Sequence, residues 1–424
     1  MPIYRSPRPV SDNHPRRVLI APDKFKGTLT SEQAAEAIEA GLRRAWPGVK
    51  TTKFTLSDGG EGFMELMVRQ TGGKIRTSKT VDAAGRPCVA KWGVLGNGRT
   101  AVIGLTSASG IAQLPASLRN PEKTTNLGTG RLLALAAKEG YREILVGLGG
   151  SATTEGGISL ASEIGYKFID KDESKVEGNG GGMARLARII PPKQLPKAKF
   201  VVATDVNNPL FGPRGAAFQF GRQKGADPDM IKRLDAGLRN LAHIVKRDLK
   251  KDMAKIPGSG AAGGCGYGLM AFFNAKPENG FQVIRRATKL DALIQKHDLV
   301  ITGEGCFDRT SLLGKAPAQL GQLARELKRP VWALCGRVDL PLAKSPFDAL
   351  AGVSTRRYPG PPPETLTSEQ HARLLENLAY DMAVLLRSEG TWDRQIERDA
   401  AAGKFDRLNA KADENFEAGR CKPL

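Results

Sequence analysis

Short apolar runs rich in β-branched residues recur along the chain, at residues 18–20, 51–56, 101–103, 144–146, 200–202, 299–301 and 331–334. Runs this short and this continuous predict strands buried on both faces, as in parallel sheets. Segments of helical period lie between them, with clear start signals. Thr30 and Gln33 have capping-box spacing, ahead of Ala34, Ile38, Leu42 and Ala45 on one face. Asp227 followed by Pro228 predicts an N-cap and first turn leading into Ile231, Leu234, Leu238, Leu241 and Val245. Thr367 and Gln370 repeat the box before Leu374, Leu375, Leu378 and Met382. Strand and helix in alternation predict an α/β fold with mostly parallel sheets.

The ends of the chain break this pattern. Residues 1–16 carry prolines and arginines without periodicity and read as a disordered arm. Residues 387–424 are dense in charge of both signs and read as a frayed helical extension. The proline-rich stretch 359–363 reads as a stiff connector into the last core helix.

Composition narrows the class. A length of 424 residues suggests two or three domains, and 40% hydrophobic with 25% charged residues is ordinary for a globular protein. No apolar stretch approaches the ~20 residues of a membrane span, and the first 17 residues lack the apolar core of a secretory signal. The expected location is the cytoplasm. Cys88, Cys265, Cys306, Cys335 and Cys421 are odd in number and form no Cys-x-x-Cys pair, so a disulfide framework or zinc knuckle is not expected. Cys265 and Cys306 read as inert small residues. The net charge of +20 has no Lys/Arg block of five and only 6% aromatic residues beside it. That argues against nucleic acid and membrane partners and suits an anionic small substrate.

The candidate chemistry falls just after the predicted strands. Lys24 and Lys26 follow the first, Asp58, Gly59, Gly60 and Glu61 the second, and Ser109 the third. Gly149, Gly150 and Ser151 follow the fourth, Asp205 and Asn207 the fifth, and Glu304 the sixth. Ligands of open α/β sheets bind beyond the carboxyl ends of strands. Glycines let backbone N–H groups approach phosphate oxygens, and lysines add point charges. Asp58, Glu61 and Glu304 on one edge would repel each other without a cation, which makes them candidate magnesium ligands. An anion cradle, metal carboxylates and a base are the parts of phosphoryl transfer. No Walker A pattern and no well-placed Gly-x-Gly-x-x-Gly is present. The glycines at 258, 260, 263 and 264 follow no strand and predict close helix–helix packing instead. His14 lies in the arm, His243 and His371 lie on helices with no partner signal, and His297 precedes a strand on the wrong edge; a Gly-x-Ser-x-Gly elbow is missing.

Read in order, these clusters resemble the type I glycerate kinase family. The likeness is carried by Ala21-Pro22-Asp23-Lys24-Phe25-Lys26-Gly27-Thr28, Ser57-Asp58-Gly59-Gly60-Glu61-Gly62, Ala108-Ser109-Gly110 and Gly147-Leu148-Gly149-Gly150-Ser151-Ala152-Thr153. It continues through Asp205-Val206-Asn207-Asn208-Pro209-Leu210, Gln223-Lys224-Gly225-Ala226 and Thr302-Gly303-Glu304-Gly305, and spans roughly residues 17–387. The resemblance implies ATP-dependent phosphorylation of D-glycerate to 2-phosphoglycerate, with Mg2+. It also implies a Rossmann-like parallel-sheet domain made of residues 17–78 and 270–386, with a second α/β domain, residues 79–269, inserted in it and a cleft between them. In that scheme Asp205 accepts or orients the hydroxyl proton, and Lys24 and Lys26 hold the substrate carboxylate or a transferring phosphate. Gly59, Gly60, Gly149, Gly150 and Ser151 wrap phosphates, with Ser109 and Asn207 among the binding residues. The chain departs from the usual family pattern at Gly104, at Thr154 and Glu155, at Cys306 and at Thr310. These departures keep open a kinase for another small hydroxy acid and a catalytically weakened sugar-acid-binding regulator.

Overall fold

In a computed structural model, the described residues are 4–5 and 14–401, apart from 26, 57–61 and 354–365. The chain divides into two compact units. One comprises Met1–Phe54, Ile294–Leu313 and Leu320–Leu424, and the other Thr55–Leu293 with Gly314–Gln319. The Lys74–Val81 strand and the Ala261–Phe273 helix each run unbroken across the 78/79 and 269/270 limits read from the sequence.

The first unit is built on a six-stranded sheet. Its order is Tyr4–Arg5, Ala349–Gly352, Val331–Cys335, Leu299–Thr302, Arg17–Ile20 and Lys50–Lys53. All neighbours are parallel except the first pair. The strands at its centre are wholly buried, which is why they read as continuous apolar runs. Tyr4 and Arg5 pair with Leu350 and Ala349, so this part of the expected disordered arm forms an edge strand. The reason is the open hydrogen-bonding edge of Ala349–Gly352, which the arm covers. The rest of residues 1–13 lies outside the described residues.

The Ser31–Ala45 helix starts as expected, with Thr30 Oγ1 accepting from the Gln33 amide and Gln33 Oε1 from the Thr30 amide. Its buried stripe of Ala34, Ile38, Leu42 and Ala45 packs in one core with Leu375, Leu378 and Met382 of the Ser368–Ala401 helix. That second helix uses the same device at Thr367 and Gln370. A Cβ on Gly41 would sit 2.2 Å from the Glu376 carbonyl oxygen, so the two backbones approach only because position 41 has no side chain.

The second unit has its own six-stranded sheet, in the order Lys276–Glu278, Lys199–Ala203, Glu143–Gly147, Thr100–Gly104, Pro87–Val94 and Lys74–Val81. The first four strands are parallel; the last two form an antiparallel meander absent from the sequence reading. The edge strand is mostly exposed and polar, so it carries no apolar run to mark it. Its turn is fixed by Asp82, whose carboxylate accepts from the Ala84 and Arg86 amides and from Arg86 Nε. The Pro228–Leu249 helix is capped by Asp227 on the Met230 amide and buries Leu234, Leu238, Leu241 and Val245. Together these elements confirm the α/β class with parallel sheets.

Candidate functional site

In the first unit, the Arg17–Ile20 and Leu299–Thr302 strands lie side by side, with Ile20 opposite Ile301. Their exits stay together, because the Ala21 amide donates to Ile301 O and the Asp23 amide to Gly303 O. The loops carrying Lys24 and Glu304 therefore leave the sheet as neighbours. Lys24 is exposed, and its amide donates to Asp23 Oδ1 at 2.7 Å. Glu304 is buried, its carbonyl accepting from the Gly336 amide. Lys26, Asp58, Gly59, Gly60 and Glu61 lie outside the described residues. Among those described, no group of three or more His, Cys, Asp or Glu is placed to hold a metal. Cys306 pairs in register with Arg337, and its thiol donates to Asp339 at 3.6 Å; burial pushes that thiol up. Thr310 is tied to Asp308 Oδ1 through both its amide and its hydroxyl.

In the second unit, three parallel strands end in one row. Gly104, Gly147 and Ala203 stand opposite one another in register. The loops that follow carry Ser109, then Gly149, Gly150 and Ser151, then Asp205 and Asn207. The first two loops are locked together, since Ile111 donates its amide to Gly150 O and Ala152 donates to Ser109 O. Gly150 is exposed and Ser151 is 5% exposed. Ser109 is fully buried, with its hydroxyl 2.8 Å from Thr129 Oγ1, so its place is beneath the loop and not on its surface. Asp205 Oδ1 accepts from Asn279 Nδ2 at 2.6 Å and from the Gly280 amide at 3.1 Å. It thus clamps the start of the Gly280–Thr288 helix, whose own N-cap is Asn279. Asn207 is exposed and lines a cavity of about 510 Å3 together with Asn208, Phe211, Arg214 and Lys255. Two cations and two side-chain amides on one cavity suit an anionic ligand.

Beneath these loops lies a buried polar network that strand-end reasoning missed. Lys224 is 2% exposed, and its Nζ donates to Ser151 Oγ at 3.0 Å and to Thr153 O at 2.5 Å. Glu155 is fully buried and accepts from Asn126 Nδ2 at 2.5 Å and from the Ser159 amide at 2.8 Å. Asn126 also donates to Thr153 Oγ1 and to Cys265 Sγ. Burial raises the Glu155 carboxyl, lowers Lys224 to about 8 and holds the Cys265 thiol well above its usual value. Cys265 is therefore inert, as expected. Lys224 had no strand-end signal, only its place in the Gln223-Lys224-Gly225-Ala226 motif: it ends a short 3-10 turn, Arg222–Lys224, off any strand or periodic helix. Glu155→Ala would remove the acceptor of the Ser159 amide and the charged acceptor of Asn126 Nδ2, which keeps Thr153 Oγ1 and Cys265 Sγ. The expected cost is about 2–4 kcal/mol, read as a lowered urea midpoint at unchanged m-value.

The 258–264 segment also differs from expectation. Its Gly263–Gly264 end packs on the 153–156 loop, with the Gly156 amide donating to Gly263 O at 3.1 Å, while the Gly260 amide donates to Asn208 O. Ala262, Gly263 and Gly264 have positive φ, a turn that no helix–helix contact would contain.

Glycine-rich turns at aligned strand ends, backed by a buried lysine, give this α/β protein a chemistry suited to an anionic ligand. The profile of the glycerate kinase family matches residues 18–387. A glycerate kinase of Bacillus subtilis (strain 168) is 35% identical over 377 residues, 88% of this chain and 98% of its own length. The glycerate 2-kinase of Escherichia coli (strain K12) is 38% identical over 323 residues, 76% of this chain and 85% of its own. The crystal structure of a putative glycerate kinase 2 from Salmonella typhimurium LT2 superposes with a TM-score of 0.76 at 35% identity, covering 88% of this chain and 99% of that one. The chain belongs to the glycerate kinase family, and it is an enzyme of the kinase class.

Proposed function

We propose that the chain transfers the γ-phosphoryl group of ATP to the 2-hydroxyl of D-glycerate, giving 2-phosphoglycerate, with Mg2+. The observation that carries this reading is the row formed by Gly104, Gly147 and Ala203, which sets the 149–151 turn beside the Asp205 loop on one sheet edge. The name of the Escherichia coli relative supports the acceptor position. In this scheme the 149–151 turn presents backbone N–H groups to phosphate. Asp205, held by Asn279 and the Gly280 amide, accepts or orients the proton of the acceptor hydroxyl. Asn207, with Arg214 and Lys255 on the same cavity, binds the anionic end of a substrate. Lys24 supplies charge to a carboxylate or phosphate.

Magnesium fits the donor chemistry in a limited way, because it binds through one or two carboxylates plus substrate phosphates. Glu304 is the described carboxylate among the three proposed ligands. When bound, the ion would neutralise charge on the phosphates. We propose that the reaction takes place in the cytoplasm without nucleic-acid or membrane partners. Among the described residues no helix is long and apolar enough to cross a membrane. The test is a panel of small hydroxy acids incubated with ATP and Mg2+, with the phosphorylated position read by phosphorus NMR. D-glycerate is expected to be the best acceptor, with a 2-phosphate product. Preference for another acid would shift the reading to a paralogue, and binding without turnover to a regulator.

A further inference from the structure

An ammonium group has three protons and no lone pair, so the Lys224–Ser151 hydrogen bond has one direction: the serine oxygen accepts. Among the described residues this is the only hydrogen bond the Ser151 hydroxyl makes. Its own proton therefore has no acceptor there and must point away from the ammonium. Burying a cation costs several kcal/mol unless its surroundings compensate. Here the compensation comes from Ser151 Oγ, the Thr153 carbonyl and the field of Glu155. A methionine would fill the same space without that cost, so packing alone does not account for a lysine at this position.

We propose that Lys224 is a positioning residue: by occupying a lone pair of Ser151 Oγ from inside the fold, it commits the serine proton to an oxyanion of the bound ligand, a nucleotide phosphate. The inference rests on the reading of the 149–151 turn as the phosphate-holding segment. Its logic depends on charge. The titratable groups facing the ammonium are Glu155, from the loop before the Ile158–Ser162 helix, and Cys265, from the Ala261–Phe273 helix. Below about pH 8 Lys224 is an ammonium and can only donate. Above it, a neutral amine also offers a lone pair, the serine proton is free to turn inward, and the outward donor is no longer enforced.

The test is calorimetric binding of MgATP to the full chain between about pH 7 and 9.5, for wild type, Ser151→Ala, Lys224→Met and the double variant, with D-glycerate turnover measured in parallel. Wild-type affinity is expected to fall as pH passes about 8. Each single variant is expected to bind about 10-fold more weakly near pH 7 and to lose that limb of the profile. The double variant should be no weaker than either single one, because the two residues act as one unit. Ser151→Ala leaves the Lys224 bond to Thr153 O in place, so it carries the test should Lys224→Met not fold. A merely structural lysine would lower the melting temperature yet leave the pH limb intact in Ser151→Ala. That result, additive losses, wild-type affinity in Ser151→Ala, or no MgATP binding by wild type each overturns the inference. The expected binding pattern without glycerate turnover would leave it standing and overturn the proposed activity instead.

Discussion

Asp205→Asn is expected to lower kcat by at least ~100-fold while MgATP affinity stays near that of wild type. Asparagine keeps the shape of aspartate and can still accept from the Gly280 amide, but it can no longer take a proton. Asn279 Nδ2 and the Gly280 amide both donate to the same oxygen, Asp205 Oδ1, so the carbonyl oxygen of an asparagine keeps both bonds. What is lost is the charge on the acceptor, so the drop in melting temperature that accompanies the kinetic loss should be small, about 1 kcal/mol. The alternative is that Asp205 serves only to clamp the Gly280–Thr288 helix. Asn279→Ala separates the two, since it removes the helix cap and the side-chain half of the clamp and leaves the carboxylate. Unchanged kcat in Asp205→Asn, or an equal loss in Asn279→Ala, would take Asp205 out of the proton-transfer role.

The second large effect is one of stability. Gly263→Ala is expected to cost about 3–5 kcal/mol, enough to shift the urea midpoint well below that of wild type. Two causes add. Gly263 has φ of +68°, a region where a side chain adds strain of about 1–2 kcal/mol. A Cβ there would also lie 2.0 Å from Thr153 O and 2.7 Å from Thr154 Cα, both backbone atoms that cannot swing aside. The segment that would have to move holds the Thr153 carbonyl to which Lys224 donates. Loss of MgATP affinity should therefore accompany the loss of stability. A variant melting within a degree or two of wild type would show that the 153–156 loop yields easily, contrary to its packing.

Much of the architecture was legible before any coordinates. The strands read at 18–20, 101–103, 144–146, 200–202 and 299–301 are all present, because a strand buried on both faces must be apolar at every position. The caps at Thr30, Asp227 and Thr367 were equally plain, since each is a local contact over three residues. The Lys74–Val81 edge strand was not, because a half-exposed edge needs no apolar run. Among site residues, the glycines and polar side chains at strand ends stood out by position. Lys224 and Glu155 did not: they entered only through the family likeness, as a motif residue and as a departure, and their burial depends on partners as far away as Ser151 and Asn126.

What the sequence by itself determined is the α/β class, the family likeness and the strand ends where polar residues gather, because each follows from local patterning. The tertiary structure alone decided which of those residues are seated inside the fold and which are exposed. It places Ser109 beneath its loop, binds Asp205 to the Asn279 cap, and brings Lys224, 73 residues along the chain from Ser151, into direct contact with the serine hydroxyl. The physical reason is that burial and long-range hydrogen bonding belong to the whole packed unit, so no window of sequence contains them.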